Sequence, residues 1–127
     1  MHFNTREKFL RAAWRVLKPG GRLVLSDVLS QKPTKAANMI SPAVNYVESR
    51  EEYRSLYKRA GFEEITIVDA TRECWGGFYK HGMRLVRKKL LNEEIGWLKF
   101  NRAVNRLTHR NSRIRFYLLV CARKPVL

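Results

Sequence analysis

Two hydrophobic periods alternate along this chain. Phe9, Ala13, Val16 and Leu17 recur at the three- and four-residue intervals that line one face of a helix. Asn4 and Glu7 stand in a capping-box relation at its start. Lys18-Pro19-Gly20-Gly21 ends it, because proline cannot extend the hydrogen-bond ladder and glycine accepts the left-handed exit. The pattern predicts a helix over about 5–17. Arg22-Leu23-Val24-Leu25-Ser26-Asp27-Val28 then turns apolar on both alternations through its middle, which suits a strand covered on both faces, as in a parallel sheet between helical layers.

Residues 29–48 hold Pro33, Pro42 and many small or polar side chains, and read as a long connection with room for one short helix. Ser49-Arg50-Glu51-Glu52 is a second capping box. Tyr53, Leu56, Tyr57 and Ala60 supply the buried face of the helix it opens, and Gly61 its exit. Residues 62–69 follow as a strand, with Ile65 and Ile67 on one face and Thr66 and Val68 on the other. Helix followed by strand, twice over, predicts an α/β fold. Residues 72–110 are helical in pattern but interrupted at Gly76-Gly77, Gly82 and Asn92-Glu93, which predicts two helices. In the second, Trp97, Phe100, Val104 and Leu107 form the apolar side, and Lys99, Arg102, Arg106 and Arg110 a cationic stripe. A last strand spans about 113–123, Phe116, Leu118 and Val120 alternating with Tyr117, Leu119 and Cys121.

A chain of 127 residues fits one domain, and its 45% apolar content supplies a core that disordered chains lack. The longest apolar run, 116–122, is too short for a bilayer, and the polar start is not that of a signal peptide, so a soluble cytoplasmic protein is expected. Cys74 and Cys121 show no C-x-x-C spacing, and His2, His81 and His109 no metal-binding pattern; neither a metal site nor a structural disulfide is expected. Charge adds a rival theme. The 26 lysines and arginines outnumber the 11 acids, and residues 80–115 carry 11 of those bases against only Glu93 and Glu94. Such a segment is either a solvated helix face or a footprint for nucleic acid or an anionic membrane surface.

The segment His2-Phe3-x-Thr5-Arg6-Glu7-x-Phe9-Leu10-x-x-Ala13-x-Arg15-Val16-Leu17-Lys18-Pro19-Gly20-Gly21-x-Leu23-Val24-Leu25-Ser26-Asp27 resembles the class I S-adenosylmethionine-dependent methyltransferases, of the small-molecule, type 11-like kind. In that family this stretch is the helix after the fourth strand, the R-V-L-K-P-G-G turn and the fifth strand. Tyr53-x-x-Leu56-x-x-x-x-Ala60-Gly61-Phe62-x-x-Ile65 resembles the family's next helix, A-G-F turn and sixth strand. The last strand is similar to its antiparallel seventh. The resemblance implies the C-terminal half of a Rossmann-like methyltransferase sheet, with strands at about 22–28, 62–69 and 113–123, the last antiparallel. All 127 residues would then form a single incomplete domain, in which 72–110 is a helical insert on the acceptor side. It further implies S-adenosylmethionine as cofactor and direct methyl displacement onto a small molecule. The family's glycine-rich cofactor turn has no counterpart, for the seven glycines are Gly20, Gly21, Gly61, Gly76, Gly77, Gly82 and Gly96. The chain is therefore expected to be inactive alone: a fragment, or one half completed by a separate N-terminal half. Left uncovered, Leu23, Val24 and Leu25 would expose a sheet edge that favours self-association.

The resemblance places His2 and Phe3 beside the cofactor, with His2 a polar contact or base near the transferred methyl, or else an exposed loop histidine. Asp27 falls at the carboxyl end of a strand, where α/β sheets bind ligands, and serves either the acceptor or a structural anchor. Tyr46, Trp75, Phe78 and Tyr79 are candidates to line the acceptor pocket, or are ordinary core.

Overall fold

The computed structural model describes residues 5–31 and 46–126. Helix α1 (Arg6–Val16) is followed by strand β1 (Arg22–Ser30), helix α2 (Arg50–Arg59) and strand β2 (Glu63–Asp69). A π-helical turn (Thr71–Gly76) runs directly into α3 (Gly77–Leu91); α4 (Trp97–Arg113) and strand β3 (Ile114–Arg123) complete the order. The expected connection after β1 lies mostly outside the described residues.

The local signals mostly act as read. Ser49 caps α2, its hydroxyl accepting from Glu52 N at 3.1 Å, while the Glu52 carboxylate takes the amide of Glu48 at 2.9 Å. At α1 the cap is Thr5, whose hydroxyl accepts from Lys8 N at 3.1 Å, one residue later than the Asn4–Glu7 pairing predicts. Gly20 and Gly61 adopt the left-handed exits, at φ +79° and +99°. Gly61 also meets Trp14, whose indole Nε1 donates to the Gly61 carbonyl at 3.3 Å. Lys124 secures the other end of this unit: its ammonium donates to the carbonyls of Trp14 and Leu17, at 2.7 and 2.8 Å, where α1 leaves backbone acceptors unsatisfied. Only one of the expected interruptions between 72 and 110 breaks the helix, at 92–96. Gly76-Gly77 marks the change from π to α, and Gly82 sits inside α3, where Leu107 of α4 packs so closely that an added Cβ would lie 3.0 Å from it.

The strands hydrogen-bond in the order β1-β3-β2, each outer strand antiparallel to β3, so that β1 and β2 run the same way with β3 between them. Leu118, Val120 and Ala122 of β3 share one face with Leu29 of β1. Against them lie Leu10 of α1, Tyr53 and Tyr57 of α2, Phe62 and Val47, forming one core. The expectation that β1 is covered on both faces does not hold: Val24 is 74% exposed, and Leu119 and Val68, which pair across β3 and β2, are exposed beside it. Both packed helices lie on the Leu25–Leu29 side. Trp97 also departs from expectation. Placed on the apolar side of α4, it stands 69% exposed in the helix's first turn, in edge contact with Phe100 at 5.7 Å.

Candidate functional site

At the carboxyl end of β1, Asp27 is 8% exposed and fully engaged. Arg6, from the first turn of α1, donates through Nε to Oδ2 at 2.6 Å and through Nη2 to Oδ1 at 3.3 Å, and also reaches the Val28 carbonyl at 3.0 Å. The Tyr53 hydroxyl donates to Oδ2 at 3.0 Å and the Val28 amide to Oδ1 at 2.8 Å. A carboxylate has about four acceptor positions, and four donors occupy these. Tyr57 extends the chain, its hydroxyl 2.9 Å from that of Tyr53. Burial, and the Asp27 charge after it, push the Tyr53 phenol far above its usual range; burial pushes Tyr57 up to about 12. Both phenols are held neutral, so the cluster anchors α1, β1 and α2 to one another.

A second brace uses Arg115 of β3. Its guanidinium donates to the carbonyls of Ser30 at 2.9 Å, Glu48 at 2.7 Å and Val47, and lies 5.1 Å over the Tyr46 ring. The chain returning from the connection after β1 is thereby pinned to the sheet. At the end of β2, Asp69 Oδ1 accepts from both the hydroxyl and the amide of Thr71, which, with the nearby Arg50, holds its carboxyl below the usual range. The Thr71 hydroxyl accepts in turn from Tyr117 N at 2.8 Å, fixing the start of the π-helical turn. Trp75, one turn on, stacks against Phe78 with ring centroids 5.4 Å apart. Its indole Nε1 is buried and has no hydrogen-bond partner among the described residues. Tyr79, in α3 beside Phe78, is half-buried.

The structure thus joins Trp75 with Phe78, sets Tyr46 on Arg115, and closes Asp27 within protein donors. His2 and Phe3 lie outside the described residues. Arg6, Arg115 and the two tyrosine hydroxyls escape the sequence reading. Arg6 did carry a signal, since it stands four residues before Leu10 on the apolar face of α1, and Arg115 interrupts an otherwise apolar strand. A cleft lined by Thr5, Arg6, Tyr46, Glu52 and Arg59 among others encloses about 150 Å³. Ligand pockets usually run to about 300–1,000 Å³.

Two same-way strands separated by an antiparallel third, entered through a Lys-Pro-Gly-Gly turn and flanked by helices, have the architecture of the C-terminal part of methyltransferase structures. The sequence is similar to the erythromycin 3''-O-methyltransferase of Saccharopolyspora erythraea, at 24% identity over 85% of this chain and 40% of that protein. Among solved structures, a putative sarcosine dimethylglycine methyltransferase from Galdieria sulphuraria matches 99% of the chain and 50% of its own, with a TM-score of 0.68 and 18% identity. The phosphoethanolamine N-methyltransferase 2 of Haemonchus contortus, solved with phosphomonomethylethanolamine and S-adenosylhomocysteine, matches 94% of the chain and 30% of its own, with a TM-score of 0.64 and 17% identity. The [4+2]-cyclase SpnF shares the fold at a TM-score of 0.52 and 23% identity, covering 95% of the chain and 46% of its own. No family model matches the sequence. The chain spans half or less of each of these proteins, and resembles S-adenosylmethionine-dependent methyltransferases in sequence and fold. Among the described residues no helix is long and apolar enough to cross a membrane.

Proposed function

We propose that this chain forms the second half of a class I methyltransferase domain that binds S-adenosylmethionine and methylates a small molecule by direct displacement. The observation that carries the proposal is the open side of the sheet. The outer edge of β1 has no strand partner among the described residues, and Val24, Leu119 and Val68 leave one sheet face in water. Apolar edges and faces of this kind are normally paired or covered. The first half of the sheet, bearing the glycine-rich turn, would cover both, and this chain alone would be inactive.

Within that reading His2 and Phe3 contact the cofactor, His2 being the candidate base, and the Trp75–Tyr79 segment with Tyr46 borders the acceptor. The buried, unpartnered indole Nε1 of Trp75 supports this, because a donor removed from water without an acceptor costs about 1–3 kcal/mol unless a ligand or a further part of the domain supplies one. Asp27, its acceptor positions filled, acts as an anchor and not as an acceptor contact. Co-expression tests the proposal. A first half taken from the Galdieria sulphuraria relative, carrying its glycine-rich turn, should co-purify with the chain and confer S-adenosylhomocysteine binding on the pair. A folded chain that ignores that half, or a soluble pair that binds no cofactor, would overturn it. The relatives include a cyclase by name, so cofactor binding and methyl transfer need separate assays.

A further inference from the structure

The helical hairpin contains a surface that the methyltransferase reading does not use. Gly82 meets Leu107, and both lie about equally far from the 92–96 turn, so α3 and α4 run antiparallel. Leu91 closes α3 and Trp97-Leu98 opens α4, at the end of the hairpin away from the sheet. These three side chains are 82%, 69% and 65% exposed. Next to them in the helices stand Arg87, Lys88 and Lys89 on α3 and Lys99 and Arg102 on α4, with Arg84 and Arg106 about two turns further from the tip, all exposed. None of the seven pairs with a carboxylate among the described residues. Glu93 and Glu94, in the turn itself, are the only acids between Arg84 and Arg106.

We infer that the distal end of this hairpin docks on an anionic lipid surface, Leu91, Trp97 and Leu98 entering the interface while the surrounding bases meet the headgroups. Two features of unlike chemistry coincide here. Exposed aliphatic side chains gain by leaving water for acyl chains, and Trp is the aromatic best suited to the headgroup boundary. Unpaired bases gain about fivefold in affinity for each one brought near an anionic leaflet. A nucleic acid would use the bases but has little to offer Leu91 and Leu98. The arrangement is that of a surface-lying amphipathic element, not a spanning one. Glu93 and Glu94 oppose it and hold the affinity down. The inference stands on the hairpin alone and does not depend on the methyltransferase reading.

Vesicle flotation of the 127-residue chain tests it, because protein that merely self-associates stays at the bottom of the gradient. The chain should float with phosphatidylcholine vesicles containing phosphatidylserine and not with phosphatidylcholine alone, and added salt should release it. Brominated lipid should quench its tryptophan emission, and Trp97→Phe should remove that quenching. Leu91→Ser with Leu98→Ser should weaken flotation about tenfold or more, at unchanged circular dichroism, since both sites are exposed. Glu93→Gln with Glu94→Gln should strengthen it. Failure of the folded chain to float with anionic vesicles would overturn the inference. So would flotation indifferent to the leucine changes and without Trp97 quenching, or a structured RNA that displaces the vesicles at physiological salt; either result would mark a general polyanion site.

Discussion

Asp27 shows how one side chain can look like a ligand contact in the sequence and be an anchor in the fold. Its place at the carboxyl end of β1 is legible, since a short strand after a glycine turn fixes where the edge falls. Its partners are not, because Arg6, Tyr53 and Val28 reach it from three elements and only tertiary packing brings them together. Asp27→Ala would leave the buried Arg6 guanidinium without its carboxylate, and we expect a loss of about 3–5 kcal/mol in urea unfolding. That is a large share of a typical domain's roughly 5–15 kcal/mol. The neighbouring phenols give a pH signature. Tyr57 ionises in the unfolded chain near its ordinary value of 10.0 and in the folded chain only at about 12, so the folded state retains the proton longer. Its contribution is complete below pH 10 and is lost as pH rises toward 12. Stability measured by urea unfolding should therefore fall above pH 10, and Tyr57→Phe should flatten part of that fall.

At the scale of elements, most of the fold was readable, because caps, periodicity and glycine exits are local. Ser49, Gly61 and the alternation of Ile65 and Ile67 place α2 and β2 to within a residue. What was not readable is which glycines bend the chain and which admit a neighbour. Gly76-Gly77 and Gly82 look alike as helix breakers, yet the first changes helix type and the second lets Leu107 approach. Gly61 does two jobs at once, a positive φ and contact with Trp14, where a Cβ would sit 2.9 Å from Nε1. Gly61→Ala should cost about 1–3 kcal/mol by thermal unfolding, from backbone strain and the displaced indole together. Gly82→Val should push α4 away from α3 while sparing the sheet. Tryptophan emission from Trp97 and Trp75 would report this, with hydrogen exchange in β1 and β3 unchanged.

The described residues form a sheet covered on one face with a strongly basic hairpin attached, and the chain's net charge of +15 opposes the association that the open side invites. The outer edge of β1, unpaired among the described residues, was legible from the missing glycine-rich turn, whereas the open face was not. The doubly apolar pattern of Leu23-Val24-Leu25 suits a strand covered on both sides, whereas among the described residues α1 and α2 pack on the Leu25–Leu29 side alone and leave Val24 exposed. Sedimentation velocity at raised salt should show concentration-dependent self-association. Val24→Lys with Leu119→Lys should return the chain toward a monomer, and a wild-type chain that stays monomeric at high concentration would count against an open, adhesive side. The most direct measurement is calorimetric titration of the isolated chain with S-adenosylhomocysteine. We expect no binding up to millimolar ligand, because residues 1–127 hold no glycine-rich turn of the kind that brings backbone amides against such a cofactor. A saturable micromolar isotherm from the chain alone would contradict that expectation and require a cofactor site built from residues 1–127.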